Sequence, residues 1–408
     1  MVKEQSFDSQ YSTYSYDPAG QLHTVQEWGE VHSEHSLSQP ESAAARIETR
    51  FERDPMGRLL TKRVKSHAHS STQTTQFRYD LAGQLCIASN AHSKIELTYD
   101  IAGQLTQETL HAAQWEIADN YSHSRSRPPL KRQARSHSLH HDYDTLGNRI
   151  AATLPDGRVL NTLSYGSGHV HQINLDSDII SDFKRDALHR SRAHTQGGLR
   201  QQTRYDRAAS PGGEERFAFD PAHNLLPAQG EASVANNRLS VYQDLRFEHD
   251  RHGRVVHKKS GKHTEMTLAW DAEHQLSSAT TIRKTQASAN TSANISASTR
   301  QTTHYSYDPF GRRLSKQGDF ATTWFVWDGN RLLQEHTPQH NRTYIYQQGS
   351  FVPLAQVDQH TGQPSAVQTA KAQNSSTNAE EHSNLPSFPA TGDDIIHTPC
   401  WCVEKKID

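Results

Sequence analysis

The sequence predicts an all-β protein built from repeated antiparallel β-hairpins, and three observations carry that prediction. An aromatic–Asp pair recurs along most of the 408 residues, at Tyr16-Asp17, Tyr79-Asp80, Tyr99-Asp100, Tyr143-Asp144, Tyr205-Asp206, Phe219-Asp220, Trp270-Asp271, Tyr307-Asp308 and Trp327-Asp328. Glycine follows the Asp by three positions at Gly20, Gly57, Gly83, Gly103, Gly147, Gly253 and Gly311. The flanks, such as "KIELTYD" and "TTWFVWD", are rich in Thr, Val, Ile and aromatic residues in rough alternation, the two-residue period of a strand.

Each copy reads as one hairpin. Asp17, Asp54, Asp80, Asp100, Asp144, Asp250 and Asp308 are candidate turn-formers, because a short carboxylate at the start of a type I turn can accept backbone N–H bonds. Asp54 and Asp250 keep this place although Arg53 and His249 precede them. The next position tolerates the proline found at Pro18, Pro55, Pro221 and Pro309. Glycine then supplies the left-handed conformation that begins the return strand with a bulge. His223 and His274 replace it in two copies, and histidine is among the few side chains enriched in that region. An apolar residue five positions after the Asp, as at Leu22, Leu59, Leu85, Leu105, Leu225, Val255 and Leu276, would lie beside the aromatic on one buried face.

Taken in order, residues 1–279 form the hairpin array, with several copies about 20 residues apart and a degenerate copy expected between Asp100 and Asp144. Residues 280–303 are rich in Ser, Thr, Ala and Asn and read as an insertion or loop. Residues 304–358 carry the final repeats. Residues 359–408 are too polar to form a core and read as a disordered tail. No long helical period is evident; the best candidate is "QPESAAARIET" at 39–49.

Composition limits the function classes. Apolar residues make up 33%, and even with the 22 glycines the share is about 38%, below the roughly 45–50% of an average globular domain. A thin repeat array fits better than one thick core. Lys and Arg number 43 against 45 acidic residues, so no electrostatic case exists for nucleic acid, and the basic run "RSRPPLKRQAR" at 125–135 reads as a solvated loop. The first ten residues hold no apolar signal region, and no window approaches 18 apolar residues, so neither a signal peptide nor a membrane span is expected. Cys86, Cys400 and Cys402 cannot build a disulfide framework.

Sites of chemistry are equally sparse. The 27 histidines are scattered rather than clustered. Asp residues repeated along an array cannot all belong to one active site, and the D-x-D-x-D and G-G-x-G-x-D calcium patterns are absent. His397, Cys400 and Cys402 lack the spacing and the fourth ligand of structural zinc. In "HHDYD" at 140–144, His140 and His141 point to opposite faces of a strand, and a solvated hairpin edge is expected. "YGSG" at 165–168 is a loop signal, and no G-x-S-x-G elbow, P-loop or dinucleotide glycine pattern occurs. No catalytic residue, metal or cofactor is expected.

The repeats "YSYDPAGQL", "FERDPMGRLLTK", "FRYDLAGQL", "LTYDIAGQL", "HDYDTLGNRI", "FEHDRHGRVV" and "YSYDPFGRRLSK", with "TYIYQQGSFVPLAQVD" at 343–358, resemble the YD-repeat, or Rhs, family of bacterial polymorphic toxins. The resemblance covers about 16–358. It implies a strip of hairpins that spirals into a hollow shell around a C-terminal toxin, delivered by type VI or related secretion machinery. This chain would be part of an incomplete shell wall. The implied partners are the remaining shell and toxin domain, the secretion apparatus, and cell-surface glycans. The implied location is the bacterial cytoplasm before export. The family's "YYYHxDHLGTP"-like core and D-P-x-G-x-x-D self-cleavage motif are not found after Asp358, so no aspartyl self-cleavage is assigned. The chain reads as a shell fragment or truncated product. A carbohydrate-binding module is the alternative, a hydrolase with a dispersed site the third class. Unpaired array ends are expected to favour self-association.

Overall fold

A computed structural model describes residues 2–6, 10–30, 46–68, 71–112, 135–166, 168–196, 199–202, 232–235, 238–284, 298–360 and 395–397. Among them all regular structure is β-strand, and every hydrogen-bonded strand neighbour is also the neighbour in sequence. The pairings are antiparallel, so the chain is an all-β array of hairpins, as its sequence predicts. At most Asp turns the register shifts by one residue just before the Asp, as between Glu52 and Arg53, Thr98 and Tyr99, and Ala269 and Trp270. This bulge bends the outgoing strand and sets the aromatic directly across from the apolar residue after the glycine: Tyr79 faces Leu85 and Tyr99 faces Leu105.

The chain divides into two compact units, the first comprising Met1–His140 and Asp206–Phe320, the second His141–Tyr205 and Ala321–Asp408. In the first unit the core is a set of cross-strand rows on one face. Ala88 faces Ile95 and Ile95 faces Leu110, all three buried. Tyr11 and Trp28 pack edge to face, 5.8 Å between ring centroids. A second contact layer joins the two sequence segments of this unit. Asp turns of the later segment seat on the strand ends of the earlier one, where Ala272 packs with Ile47 and Val64. Glu30 N–H donates to the Arg251 carbonyl at 2.7 Å, and Asn90 Nδ2 to the Tyr307 carbonyl at 3.0 Å.

The second unit buries polar side chains in the same kind of row. Gln334 faces Thr343 and Thr343 faces Val357, all essentially inaccessible. Ile345 faces Ala355 beside them, and Ile173 faces Ser181. A thin array has little apolar material, and rows of this kind let a hydrogen-bonded polar residue occupy a core position at small cost.

Three boundaries differ from the sequence reading. The stretch 280–303 is not all loop: Leu276–Lys284 and Ser298–Tyr307 are paired strands, because Thr-rich segments suit a pleated sheet, and residues 285–297 lie outside the described ones. Ile47–Arg53 is a strand, so the helical candidate at 39–49 fails at its described end, and 39–45 lie outside the described residues. Ile395–His397 pairs with Gln356–Asp358, whereas the rest of the expected tail beyond His360 lies outside the described residues. Tyr205-Asp206, Phe219-Asp220, His223 and Leu225 lie outside them too, as do most of the basic run, Cys400 and Cys402.

Candidate functional site

The most repeated arrangement of functional groups is the Asp turn. At Asp17, Asp54, Asp80, Asp100, Asp144, Asp250 and Asp308 the backbone N–H donates to the carbonyl four residues on, at 2.9–3.0 Å. Gly20, Gly57, Gly83, Gly103, Gly147, Gly253 and Gly311 donate back to the Asp carbonyl at 2.9–3.1 Å. These glycines have φ between 77° and 86°, in the region L side chains avoid.

The carboxylate completes the turn. Its Oδ1 accepts the N–H four residues on in all seven copies, for example Gln84 to Asp80 at 2.8 Å and Arg312 to Asp308 at 2.9 Å. In five it also accepts the N–H two residues on, from Met56, Ala102, Leu146, His252 and Phe310. Where the fifth residue is arginine, Nε binds the other oxygen: Arg58 to Asp54 at 2.6 Å, Arg254 to Asp250 at 2.7 Å, Arg312 to Asp308 at 2.6 Å. Asn148 does the same to Asp144 at 2.9 Å. The Asn148 side chain and the turn N–H groups hold the Asp144 carboxyl below the usual carboxylate range. At Asp54 desolvation pushes the other way, and the Arg58 bonds and charge outweigh it. In both, the bonds around the carboxylate favour its charged form.

Successive turns are linked. Tyr79 Oη donates to the Leu59 carbonyl at 3.0 Å and Tyr99 Oη to the Leu85 carbonyl at 2.9 Å, each reaching the copy before its own. Trp270 Nε1 reaches Val255 at 2.8 Å and Tyr307 Oη reaches Leu276 at 2.9 Å in the later segment. The Arg58 guanidinium stands 5.0 Å from the Tyr79 ring, so one side chain braces its own turn and the next.

Buried and half-buried polar pairs tie distant strands in each unit. In the first unit Arg312 sits between Asp308 and Glu108, 2.6 Å from each, and Arg238 meets Glu30 at 2.7 Å. Nearby, His274 reaches Glu27 at 3.4 Å and Lys62 reaches Glu273 at 3.2 Å. In the second unit Arg149 holds Asp328 at 2.8 Å, and Asp156 accepts from Arg158 at 2.9 Å and from Gln334 at 2.8 Å. Burial raises the Asp328 carboxyl, but the Arg149 bond and charge prevail and keep it below the ordinary range. Among the described residues no group of three or more His, Cys, Asp or Glu could hold a metal, and no helix is long and apolar enough to cross a membrane. A cavity of about 130 Å³ lined by Asp182, Lys184, His194, Thr195 and Arg200 has room for a few waters.

No family model matches the chain. It is 25% identical over 400 residues to the double-stranded DNA deaminase toxin A of Burkholderia cenocepacia strain H111, covering 76% of this chain and 25% of that protein. It is 23% identical over 405 residues to toxin protein Tse5 of Pseudomonas aeruginosa, covering 75% of this chain and 28% of that one. Over three quarters of its length the chain is homologous to Rhs-type toxins. The chain spans about a quarter of the length of those relatives. A crystal structure of TcdB2-TccC3 without its hypervariable C-terminal region aligns over 88% of the chain and 20% of its own, at 13% identity and a TM-score of 0.37.

The chain also holds functional-group placements that its sequence does not signal. Asp186 makes the same turn, with His189 at φ 60° in the glycine place and Arg190 Nε 2.8 Å from the carboxylate. Arg185 and His189 stand in place of both the aromatic and the glycine, so neither mark of the repeat is present in the sequence. His141 is buried near Asp328, Nε2 4.0 Å from its carboxylate, rather than on a solvated edge, while His140 is exposed. Trp327-Asp328 is not an Asp turn of the common kind: Gly329 carries the positive φ, and the Asp328 side chain goes to Arg149. Cys86 is a free, half-buried thiol.

Proposed function

We propose that this chain is a structural segment of a toxin shell, non-enzymatic in itself, with Asp17, Asp54, Asp80, Asp100, Asp144, Asp250 and Asp308 and their glycines acting as turn-formers. In a longer protein the segment helps to enclose a C-terminal toxin, which a specialised secretion machine delivers. The observation that supports this most is the linked turn. Its carboxylates and aromatic donors are committed to the backbone of the same or the preceding hairpin, which suits a wall better than an active site. The test is a chimera in which this chain replaces the aligned stretch of the Pseudomonas relative. Limited proteolysis is expected to leave the C-terminal region of the chimera protected; cleavage there as fast as in the isolated region would refute enclosure.

A carbohydrate-binding reading has one observation in its favour. On the second unit Tyr165 is exposed, His169 and His189 stack at 4.0 Å between centroids, and the Tyr165 ring lies 5.7 Å from each. An aromatic surface of this size can receive a sugar face. A glycan array with wild type and Tyr165→Ala decides it, and no binding by the wild type removes the idea.

A further inference from the structure

The first unit contains one internal interface and, on its outer edges, the two halves of another. Within the unit, the Asp271 turn of the later segment presents Ala272, the residue after the Asp, to the strand ends of the earlier segment. There it is 4% exposed against Ile47 and Val64. Leu81 and Ile101 hold the same place after Asp80 and Asp100 in the earlier segment. They are large and apolar, yet fully exposed at 109% and 110%, with Met56 beside them in the series at 79%. Among the described residues nothing covers this row of apolar side chains on successive turn tips.

The complementary half lies on the later segment. Ile47 faces Ser66 as the first register pair of the hairpin that ends in the Asp54 turn, and it is buried beneath Ala272. Leu245 faces Ser260 as the first register pair of the hairpin that ends in the Asp250 turn. Leu245 remains half-exposed, and the neighbouring connections at Gln243–Asp244 and Gly261–His263 are open to solvent. Among the described residues the earlier segment thus has an uncovered turn edge and the later segment an uncovered base edge, and their buried counterparts already meet within the unit.

We propose that the turn edge carrying Leu81 and Ile101 docks on the base edge around Leu245 of a second copy of this chain, repeating between molecules the contact made within one. The interface is heterologous, so it does not close on two copies and it adds molecules head to tail. It needs the packing inside the first unit alone, and enclosure of a toxin could fail without affecting it.

Sedimentation velocity over a concentration series up to about 100 μM, where even weak interfaces are populated, tests the proposal. Wild type is expected to show masses rising through dimer to larger species. L81E/I101E changes two solvated turn tips, and L245E changes the other edge; circular dichroism verifies that each keeps the wild-type β spectrum. Each is expected to stay monomeric alone, and an equimolar mixture to form dimers and nothing larger, because each variant retains the half its partner lacks. A monomeric wild type, or an L81E/I101E variant that assembles like wild type, would overturn the proposal. If L245E fails to fold, the turn-edge variant mixed with wild type decides instead: it must shorten the assemblies by capping them.

Discussion

Removing the carboxylate of Asp308 should cost far more than removing that of Asp80, although each heads a turn of the same kind. Asp308 is 2% exposed and accepts from Phe310 N and Arg312 N, both at 2.9 Å, and from Arg312 Nε at 2.6 Å. Asp308→Ala strips two N–H groups of a charged acceptor, a bond type contributing about 1.5–3 kcal/mol each. It also breaks a buried ion pair, for which about 3–5 kcal/mol is usual, here at the low end because Glu108 still holds Arg312 at 2.6 Å. One carboxylate makes all three contacts, so the losses overlap, and about 5 kcal/mol is the expected total. Asp80 is half-buried and its carboxylate takes the Gln84 N–H at 2.8 Å, so Asp80→Ala should cost about 1 kcal/mol, the size of a lost cap. Domains are stable by roughly 5–15 kcal/mol, so the first variant leaves the unit marginal. Urea unfolding followed by tryptophan fluorescence measures both. Asp308→Asn, which keeps an acceptor oxygen, should fall between them and serves if the alanine variant does not fold. Equal costs for the Asp308 and Asp80 alanine variants, within about 1 kcal/mol, would refute the reasoning that burial and Arg312 set the difference.

Three more outcomes follow from the same geometry. Gly29 has φ 72°, and a Cβ there would stand 2.5 Å from the Arg251 carbonyl oxygen, so Gly29→Ala should cost about 3 kcal/mol from strain and the lost Glu30–Arg251 bond. Gly20, φ 79° with nothing within 4 Å, should cost about 1 kcal/mol, and equal urea midpoints would contradict this. Arg149→Met strands the buried Asp328 carboxylate, with His141 and Arg331 close enough to offset part of the charge, and should cost about 3 kcal/mol. The double variant with Asp328→Asn should regain much of it, and a double variant no more stable than the single would count against the pairing. Desolvation lowers the pKa of His92 from 6.5 to about 4, against a small opposing pull from Asp271. The unfolded chain therefore takes up the proton first: stability is full above pH 6.5 and falls toward pH 4, by at most roughly 3 kcal/mol from this group. In His92→Gln the loss between pH 7 and 4.5 should be smaller, and an unchanged pH profile would remove His92 from the account.

Which parts of the architecture could be read from the sequence depended on whether the signal was local. A hairpin is specified within about ten residues, by strand-type flanks, a turn carboxylate and a residue able to take positive φ, and these lie adjacent in "FRYDLAGQL". Strand type was therefore legible. The same locality misleads at Trp327-Asp328, where Gly329 follows the Asp directly and turns the chain in two residues, freeing the carboxylate for Arg149, 179 positions away. It also concealed Asp186, because Arg185 and His189 replaced both marks by which copies were recognised. Gly29 gave no turn signal at all, since what it meets is the Arg251 backbone, more than two hundred residues on. Contacts between segments, such as Arg312 with Glu108 or Arg238 with Glu30, depend on which hairpin faces which, and one sequence holds no record of that pairing.

The low apolar content then has a physical consequence for how the array is held in register. A continuous apolar interface tolerates sliding, because one buried methyl resembles another. Gln334, Thr343, Asp156 and Arg158 do not tolerate it: Gln334 Nε2 reaches Thr343 Oγ1 at 3.0 Å and Asp156 at 2.8 Å, and Arg158 Nη2 reaches the same Thr343 hydroxyl at 2.7 Å. Slipping a strand by one residue would move every member to the opposite face and leave buried polar atoms without these partners, at about 1–3 kcal/mol apiece. The Arg312 pairs with Asp308 and Glu108 act in the same way in the first unit. Such buried charges need not add net stability over an apolar core, but they make the misregistered alternatives worse. For a repeat whose successive hairpins are nearly interchangeable in sequence, that penalty distinguishes the correct neighbour from the next copy along.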